Sequence, residues 1–134
     1  MAEEVKQEQA QKTPSILDPA EQLRQFSAGK MTLSEPIRDG ENTVTEIQWD
    51  FMRITGSEYC DAMDRDVKAV NTFRITNTQA LNLFAVAAAK ATGGIDAEDV
   101  RRGLSIGDTM KATQLATIFF SAQNRLGNLR ISGK

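Results

Sequence analysis

Residues 30–61, KMTLSEPIRDGENTVTEIQWDFMRITGSEYCD, contain two segments of alternating apolar and polar residues, followed by a helix-capping signal. Such alternation is typical of half-buried strands. Its apolar members are Met31, Leu33 and Ile37 in the first segment, and Ile47, Trp49 and Phe51 in the second. Asp39-Gly40 supplies turn chemistry between them, because glycine tolerates a positive φ. The stretch therefore predicts an antiparallel hairpin with a connection of about five residues.

A lone hairpin is only marginally stable in water, so helices are expected to cover its apolar face. Thr55-Gly56-Ser57-Glu58 has the form of a capping box. It begins a helix whose predicted core stripe is Tyr59, Met63, Val67 and Val70. A second capping signature over 76–79 begins a helix that Gly93-Gly94 ends after Thr92.

Two more helices follow. The first runs from Asp96 to Gly103, with acids at its start and arginines at its end, as the helix dipole favours. The second is long, is expected to be capped by Asp108, and reaches about Leu126. The predicted fold class is α+β, with an N-terminal β-hairpin packed on a bundle of about four α-helices. We expect a single domain over 30–127 and a frayed tail over 128–134.

Residues 1–29 are expected to form a flexible, polar N-terminal arm. They are rich in Glu, Gln, Lys and Ala, so too little apolar surface is available to offset the entropy of ordering. Pro14 and Pro19 interrupt any long helix. Leu23 and Phe26 would share one face of a helical turn or two, if a partner ordered this segment.

Composition excludes several classes of function. The 134 residues suit one domain. A net charge of −2 gives no general attraction to nucleic acid or anionic membranes. The single cysteine, Cys60, indicates a reducing compartment. The acidic N-terminus does not resemble a signal peptide, and no apolar run approaches the roughly 20 residues of a membrane span. We expect a cytoplasmic protein that binds neither nucleic acid nor membrane.

Catalytic chemistry is not expected. The chain has no histidine, which removes the usual general base near neutral pH, so Ser105 and Ser121 have no triad partner. Asp61, Asp64 and Asp66 are better explained as a solvated helix face than as a cation site. We predict no catalytic residue, no cofactor and no metal ligand.

An apolar surplus on two helices points instead to a partner. The last helix has an apolar stripe formed by Leu115, Ile118, Phe119, Ala122 and Leu126. Phe120 and Ala116 lie together outside this stripe, on one side of the helix. The helix after Thr78 is apolar nearly all round, which is typical of a central helix or of one with a partner. Leu83 and Val86 lie off its Leu81, Phe84 and Ala88 face, so they belong either to the core or to an interface. The residues predicted to bind a partner, or to mediate self-association, are Leu83, Val86, Ala116 and Phe120.

Residues 96–122 also have the outline of a DNA-binding helix-turn-helix, in which the second helix reads the major groove. That helix offers Lys111, Gln114 and Gln123 separated by apolar residues. This is poor recognition chemistry, and the acidic balance supplies no supporting field. A small DNA-binding regulator is therefore the least favoured of three hypotheses for the function; the other two follow from the resemblance described next.

Several short motifs resemble the phage tail assembly chaperones of contractile-tailed and long flexible-tailed bacteriophages. The similar pattern is an L-x-x-P-I strand, a turn with Gly, a V/I-x-E-I/L strand, and an Arg before a T-G-x-(D/E) helix start. The residues that match are Leu33, Pro36, Ile37, Gly40, Val44, Glu46, Ile47, Arg53, Thr55, Gly56 and Glu58. LSIGDTMKATQLATIFF, residues 104–120, resembles the family's closing helix. The likeness covers about 31–122; the arm before Lys30, and Glu58 where Asp is commoner, depart from it.

The resemblance implies a non-enzymatic chaperone of the host cytoplasm. Such proteins bind the apolar, helical tape measure protein and keep it soluble until the tail tube polymerises around it. They are not expected in the mature virion. The alternative from another class is a structural minor tail or connector protein that stays in the virion.

Overall fold

The computed structural model describes residues 18–65 and 74–132. It contains one two-stranded antiparallel sheet and five α-helices in these ranges, which confirms the predicted α+β class with a hairpin packed on helices. In chain order the elements are α1 (Pro19–Phe26), β1 (Ala28–Asp39), β2 (Asn42–Asp50), a 3-10 turn (Phe51–Arg53), α2 (Gly56–Asp64), α3 (Asn77–Thr92), α4 (Ala97–Gly103) and α5 (Ile106–Ser132).

The hairpin closes more tightly than the sequence predicted. Asp39 pairs with Asn42, so the connection has two residues rather than about five. Gly40 takes the first of these positions with φ of 62°, a conformation that glycine adopts at little cost. Two-residue connections match the natural twist of paired strands, which is why both strands extend further towards the turn than expected.

β1 carries an irregularity that ties the hairpin to α5. Thr32 pairs with Glu46 but Ile37 pairs with Val44, so four residues of β1 lie opposite one residue of β2. The displaced Ser34 donates its backbone N–H to Asp108 Oδ2 at 2.8 Å and its hydroxyl to the same oxygen at 3.0 Å. Asp108 is only 1% exposed. Its buried carboxylate therefore accepts hydrogen bonds from the bulge in place of those that water would donate.

Asp108 is therefore not the helix cap that the sequence predicted. Ser105 has that role, because its Oγ accepts from the backbone N–H of Asp108 at 3.2 Å. Burial raises the pKa of the Asp108 carboxyl, but hydrogen bonds from Ser34 and Ser105 and the charge of Lys111 outweigh burial and hold the pKa below its usual range.

α3 is the central element of the core. It packs against β2, α2, α4, α5 and the 3-10 turn, which explains why its sequence is apolar nearly all round. Phe84 is fully buried, with its ring centroid 5.7 Å from Trp49 and 6.2 Å from Phe51. The capping box at Thr76 and Gln79 and the stop at Gly93, with φ of 73°, are both as predicted.

Two buried amides on α3 hold the end of α2. Gln79 Nε2 donates to the Met63 carbonyl at 3.0 Å, and Asn82 Nδ2 donates to the Ala62 carbonyl at 2.9 Å. The last carbonyls of a helix have no partner within it, so these side chains satisfy groups that would otherwise be orphaned. α2 ends at Asp64; Val67 and Val70 of the predicted stripe lie outside the described residues.

α5 buries a different face from the stripe that the sequence indicated. Its core face is formed by Asp108, Ala112, Ala116 and Phe120, at intervals of four residues, and it packs on α3. The small alanines allow the two helices to approach closely. Of the predicted stripe Ala122 is buried, whereas Leu115, Ile118, Phe119 and Leu126 are half-buried. The helix also continues to Ser132, beyond its predicted end near Leu126.

The predicted boundary at residue 30 is also wrong. Asp18 caps α1 by accepting from the Glu21 N–H, and Pro19 occupies the first turn, where its missing N–H costs nothing. α1 lies along α5, and β1 begins at Ala28. The flexible arm was predicted from the composition of this segment alone. That prediction did not take into account that α5 offers a surface on which a short helix can pack. Residues 1–17 lie outside the described residues.

Gly103→Ala should destabilise the fold. A Cβ at Gly103 would lie 2.9 Å from both Cγ1 and Cγ2 of the buried Ile37, and such overpacking costs about 1–3 kcal/mol. Gly107→Ala is the matched control, because its Cβ meets no atom within 4 Å and alanine favours helix by up to about 1 kcal/mol. Urea denaturation measures both; equal effects of the two changes would show that α4 does not press on Ile37.

Asp108→Asn should cost roughly 1–3 kcal/mol near neutral pH, since it removes a charge that strengthens the hydrogen bonds from Ser34. A carboxyl whose folded-state pKa is lowered stabilises the fold above its ordinary pKa of about 3.9. That contribution is lost as the pH falls through the folded-state pKa. The difference between wild type and variant in urea denaturation should therefore be larger at pH 6 than at pH 2. An identical difference at both pH values would contradict this role.

Candidate partner-binding surface

The four residues predicted to bind a partner do not form one surface. Leu83 and Ala116 are buried in the core, with exposed fractions of 1% and 0%. Phe120 is 7% exposed and lies with Leu83 at the floor of a groove. Val86 is half-buried and opens into a separate cleft. Leu83 was predicted to be either a core residue or an interface residue, and the structure shows that it is a core residue.

The groove beside Phe120, called the aromatic groove here, lies between the 3-10 turn, α2 and α5 and has a volume of about 320 Å³. It is lined by Phe51, Ile54, Thr55, Gly56, Tyr59, Leu83, Phe119, Phe120, Gln123 and Asn124. The lining is mainly aromatic and aliphatic, with two amides on α5. This composition suits apolar side chains framed by hydrogen-bonding groups.

A stack of rings makes the wall of the aromatic groove rigid. Phe51 and Phe119 lie nearly parallel, with centroids 4.8 Å apart and 16° between their planes. Phe51 also makes an edge contact with the buried Phe84. Such ring pairs contribute about 0.5–1.5 kcal/mol beyond the area they bury. The hairpin, α3 and α5 thus position the wall jointly.

The rim of the aromatic groove exposes large apolar side chains. Tyr59 lines the groove and is 37% exposed. Met52 follows Phe51 on the 3-10 turn and is 62% exposed. Gln123 Nε2, from α5, lies 3.5 Å from Met52 Sδ and donates to it. Partial burial raises the pKa of Tyr59, with smaller contributions from Cys60 and Asp64. The prediction of Tyr59 as a core residue is wrong, because α2 presents this face to the groove mouth.

The cleft that Val86 lines combines apolar side chains with charged ones. Its volume is about 420 Å³, and Glu58 and Lys90 form an ion pair of 2.6 Å on its wall. The hydrogen bond from Lys90, together with one from the Thr55 N–H, lowers the pKa of Glu58 to about 2. Glu98, close by, is paired with Arg65 and Arg101. Exposed ion pairs of this kind contribute little to stability, and the charges are matched with each other.

Neither the aromatic groove nor the cleft that Val86 lines has the side chains needed to bind a metal ion. In residues 18–65 and 74–132, no group of three or more His, Cys, Asp or Glu side chains is placed to hold an ion. Asp61 and Asp64 are exposed on α2, while Asp66 lies outside the described residues.

Neither a protein-family model, nor a curated protein, nor a solved structure matches this chain. In the part of the chain that the structure describes, no helix has both the length and the apolar character needed to cross a bilayer.

Phe120→Asp should destabilise the protein by more than about 3 kcal/mol, because it removes a buried ring and buries a carboxylate without a partner. Thr117→Asp is the control, since Thr117 is exposed one turn earlier on α5 and surface changes usually stay within about 0.5 kcal/mol. Thermal unfolding measures both. If Phe120→Asp melted like wild type, the ring would lie on the surface.

Proposed function

We propose that this protein is a phage tail assembly chaperone, which binds the apolar, helical tape measure protein and keeps it soluble until the tail tube polymerises. It acts without catalysis, in the host cytoplasm, and leaves before the virion is complete. The observation that supports the proposal is the aromatic groove, because proteins accept the apolar face of an amphipathic helix in a hydrophobic groove. The resemblance of the motifs over 31–122 to tail assembly chaperones supports the tape measure protein as the client.

The rim residues suit a client with varied side chains. Met52 is flexible and polarisable, so it adapts to different apolar partners. Tyr59 offers a ring and a hydroxyl at the groove mouth, which suits a contact that is apolar on one side and wet on the other. A client helix lying across the groove would place apolar anchors on Phe119 and leave its polar face in water.

The charges near the aromatic groove predict how binding responds to salt. Its polar lining consists of hydroxyl and amide groups from Thr55, Tyr59, Gln123 and Asn124, which carry no charge at neutral pH. Ionic strength screens charge pairs but affects apolar burial little. Client binding through this surface should therefore persist in salt, unlike electrostatic capture of a charged partner.

Met52→Glu should reduce recovery of a co-expressed tape measure protein by at least about tenfold, because it places a charge at the mouth of the apolar groove. Met110→Glu is a closely matched control: Met110 is 66% exposed against 62% for Met52, but it lies in the first turns of α5, away from the groove. Affinity co-purification gives the yield, and circular dichroism checks that both variants fold.

Equal loss of client in the two variants would show that general surface hydrophobicity, not the groove, binds the client. Full recovery with Met52→Glu would remove the aromatic groove from the proposal. Tyr59→Glu gives an independent test on α2, and it should behave like Met52→Glu. Its own fold is monitored through Trp49, the only tryptophan in the chain.

Two direct measurements separate the rival functions. Mass spectrometry of purified particles detects a virion component, so stoichiometric presence of this protein there would favour the structural tail protein. Binding to duplex DNA that weakens steeply with salt would favour the helix-turn-helix regulator. The chaperone proposal expects neither result.

A further inference from the structure

α1 packs along the fold with few of its side chains buried. It lies along α5 and touches the start of β1, but only Pro19 and Gln22 of its eight residues are buried. Leu23 and Phe26, its large apolar residues, are half-buried. An isolated helix of this length is unstable in water, so α1 depends on the surface beneath it.

The connection of α1 to the rest of the chain is short. Only Ser27 separates α1 from β1, and the Phe51 N–H donates to the Ser27 carbonyl at 2.8 Å. The indole N–H of Trp49 donates to the Phe26 carbonyl at 3.2 Å. The end of α1 is therefore anchored to the hairpin, while the body of the helix rests on α5.

α1 does not fill the surface that it covers. A cavity of about 280 Å³ remains between α1, the hairpin and α5, lined by Phe26, Met31, Trp49, Leu115 and Ile118, with Lys111 and Gln114 as its polar members. Leu115 and Ile118 belong to the apolar stripe of α5 that the core leaves half-buried. A better-fitting helix could bury more of this surface than α1 does.

We infer that Met31, Trp49, Leu115 and Ile118 form a second helix-binding surface, which α1 occupies in cis and which an amphipathic client helix takes over by displacing α1. The occupant has the chemistry of α1: a short helix with apolar side chains three apart, as in Leu23 and Phe26. Assigning that helix to the tape measure protein rests on the proposed function; the exchange itself does not.

Competition in cis sets the requirement on the incoming helix. A segment tethered next to its site has an effective concentration on the order of millimolar. A free helix must outcompete this local concentration, so only a client that buries more apolar surface than α1 displaces it. α1 would thereby shield the surface from weak, unspecific partners until the client arrives.

The test uses the full chain with Leu23→Glu and Phe26→Glu, which should release α1. The matched control places glutamates at exposed positions of the same helix, with Ala20→Glu and Gln25→Glu. Trp49 reports the state of the surface, because its indole N–H bonds to α1. We expect red-shifted Trp49 emission in the released variant, wild-type emission in the control, and cooperative unfolding in both.

The probe is a capped peptide of residues 18–27, DPAEQLRQFS, with Gln25→Lys joined to Glu21 by a lactam. The two positions already hydrogen-bond on the exposed side of α1, so the bridge preforms the helix without touching its docking face. The peptide should restore the blue-shifted emission of the released variant and should bind wild type at least about tenfold more weakly. A peptide with glutamates at positions 23 and 26 should not bind.

Absence of peptide binding to a folded released variant, or unchanged Trp49 emission on release, would overturn the inference. If the released variant unfolds, amide hydrogen exchange of the wild-type chain provides the test. The amides of α1 should exchange well before those of α3. If both helices exchanged only by global unfolding, the inference would be overturned. Peptide binding without tape measure binding would refute only the proposed function. Tape measure binding through Met52 without peptide exchange would refute only this second surface.

Discussion

A hairpin of two strands has a single apolar face, and this protein depends on covering it. Trp49, Phe51 and Ile47 cannot be buried by other strands, because the described sheet has none beyond β1 and β2. α3 provides the cover with Phe84 and a run of alanines, and the Thr92 hydroxyl pairs with the backbone N–H and carbonyl of Gln48 at the end of the same helix. α2, α4 and α5 in turn pack against α3.

α5 is the element that links the core to both proposed binding surfaces. Its alanines lie on α3, its Asp108 holds the bulge of β1, and Phe119 stacks on Phe51 at the end of the hairpin. The flank of the same helix that carries Leu115 and Ile118 receives α1. One long helix thus carries two apolar flanks while its central face is used for folding.

Local signals in the sequence were sufficient for the elements. Alternation around Trp49, the capping boxes at Thr55 and Thr76, and the glycine stop at Gly93 each depend on residues within a few positions, and the structure has all of them. Failures began where distant residues decide the outcome. The role of Asp108 depends on Ser34, 74 positions away, and no local pattern contains that contact.

The candidate site was predicted less well than the fold, for a related reason. The sequence prediction took the large apolar side chains of α5 as its core face. In the structure Ala112 and Ala116 form the close contact with α3, because they are small. Phe120 follows the alanines into the floor of the aromatic groove. The accessible residues come from other elements: Tyr59 lines the groove from α2, and Met52 of the 3-10 turn contacts Gln123 of α5.

The proposed chaperone function is tested most directly by the solubility of a phage tape measure protein, expressed with and without this protein. The account predicts that the tape measure protein is found in the soluble fraction, bound to this chain, only when the two are expressed together. A tape measure protein that stays insoluble in the presence of this chain, or that is equally soluble without it, would contradict the account.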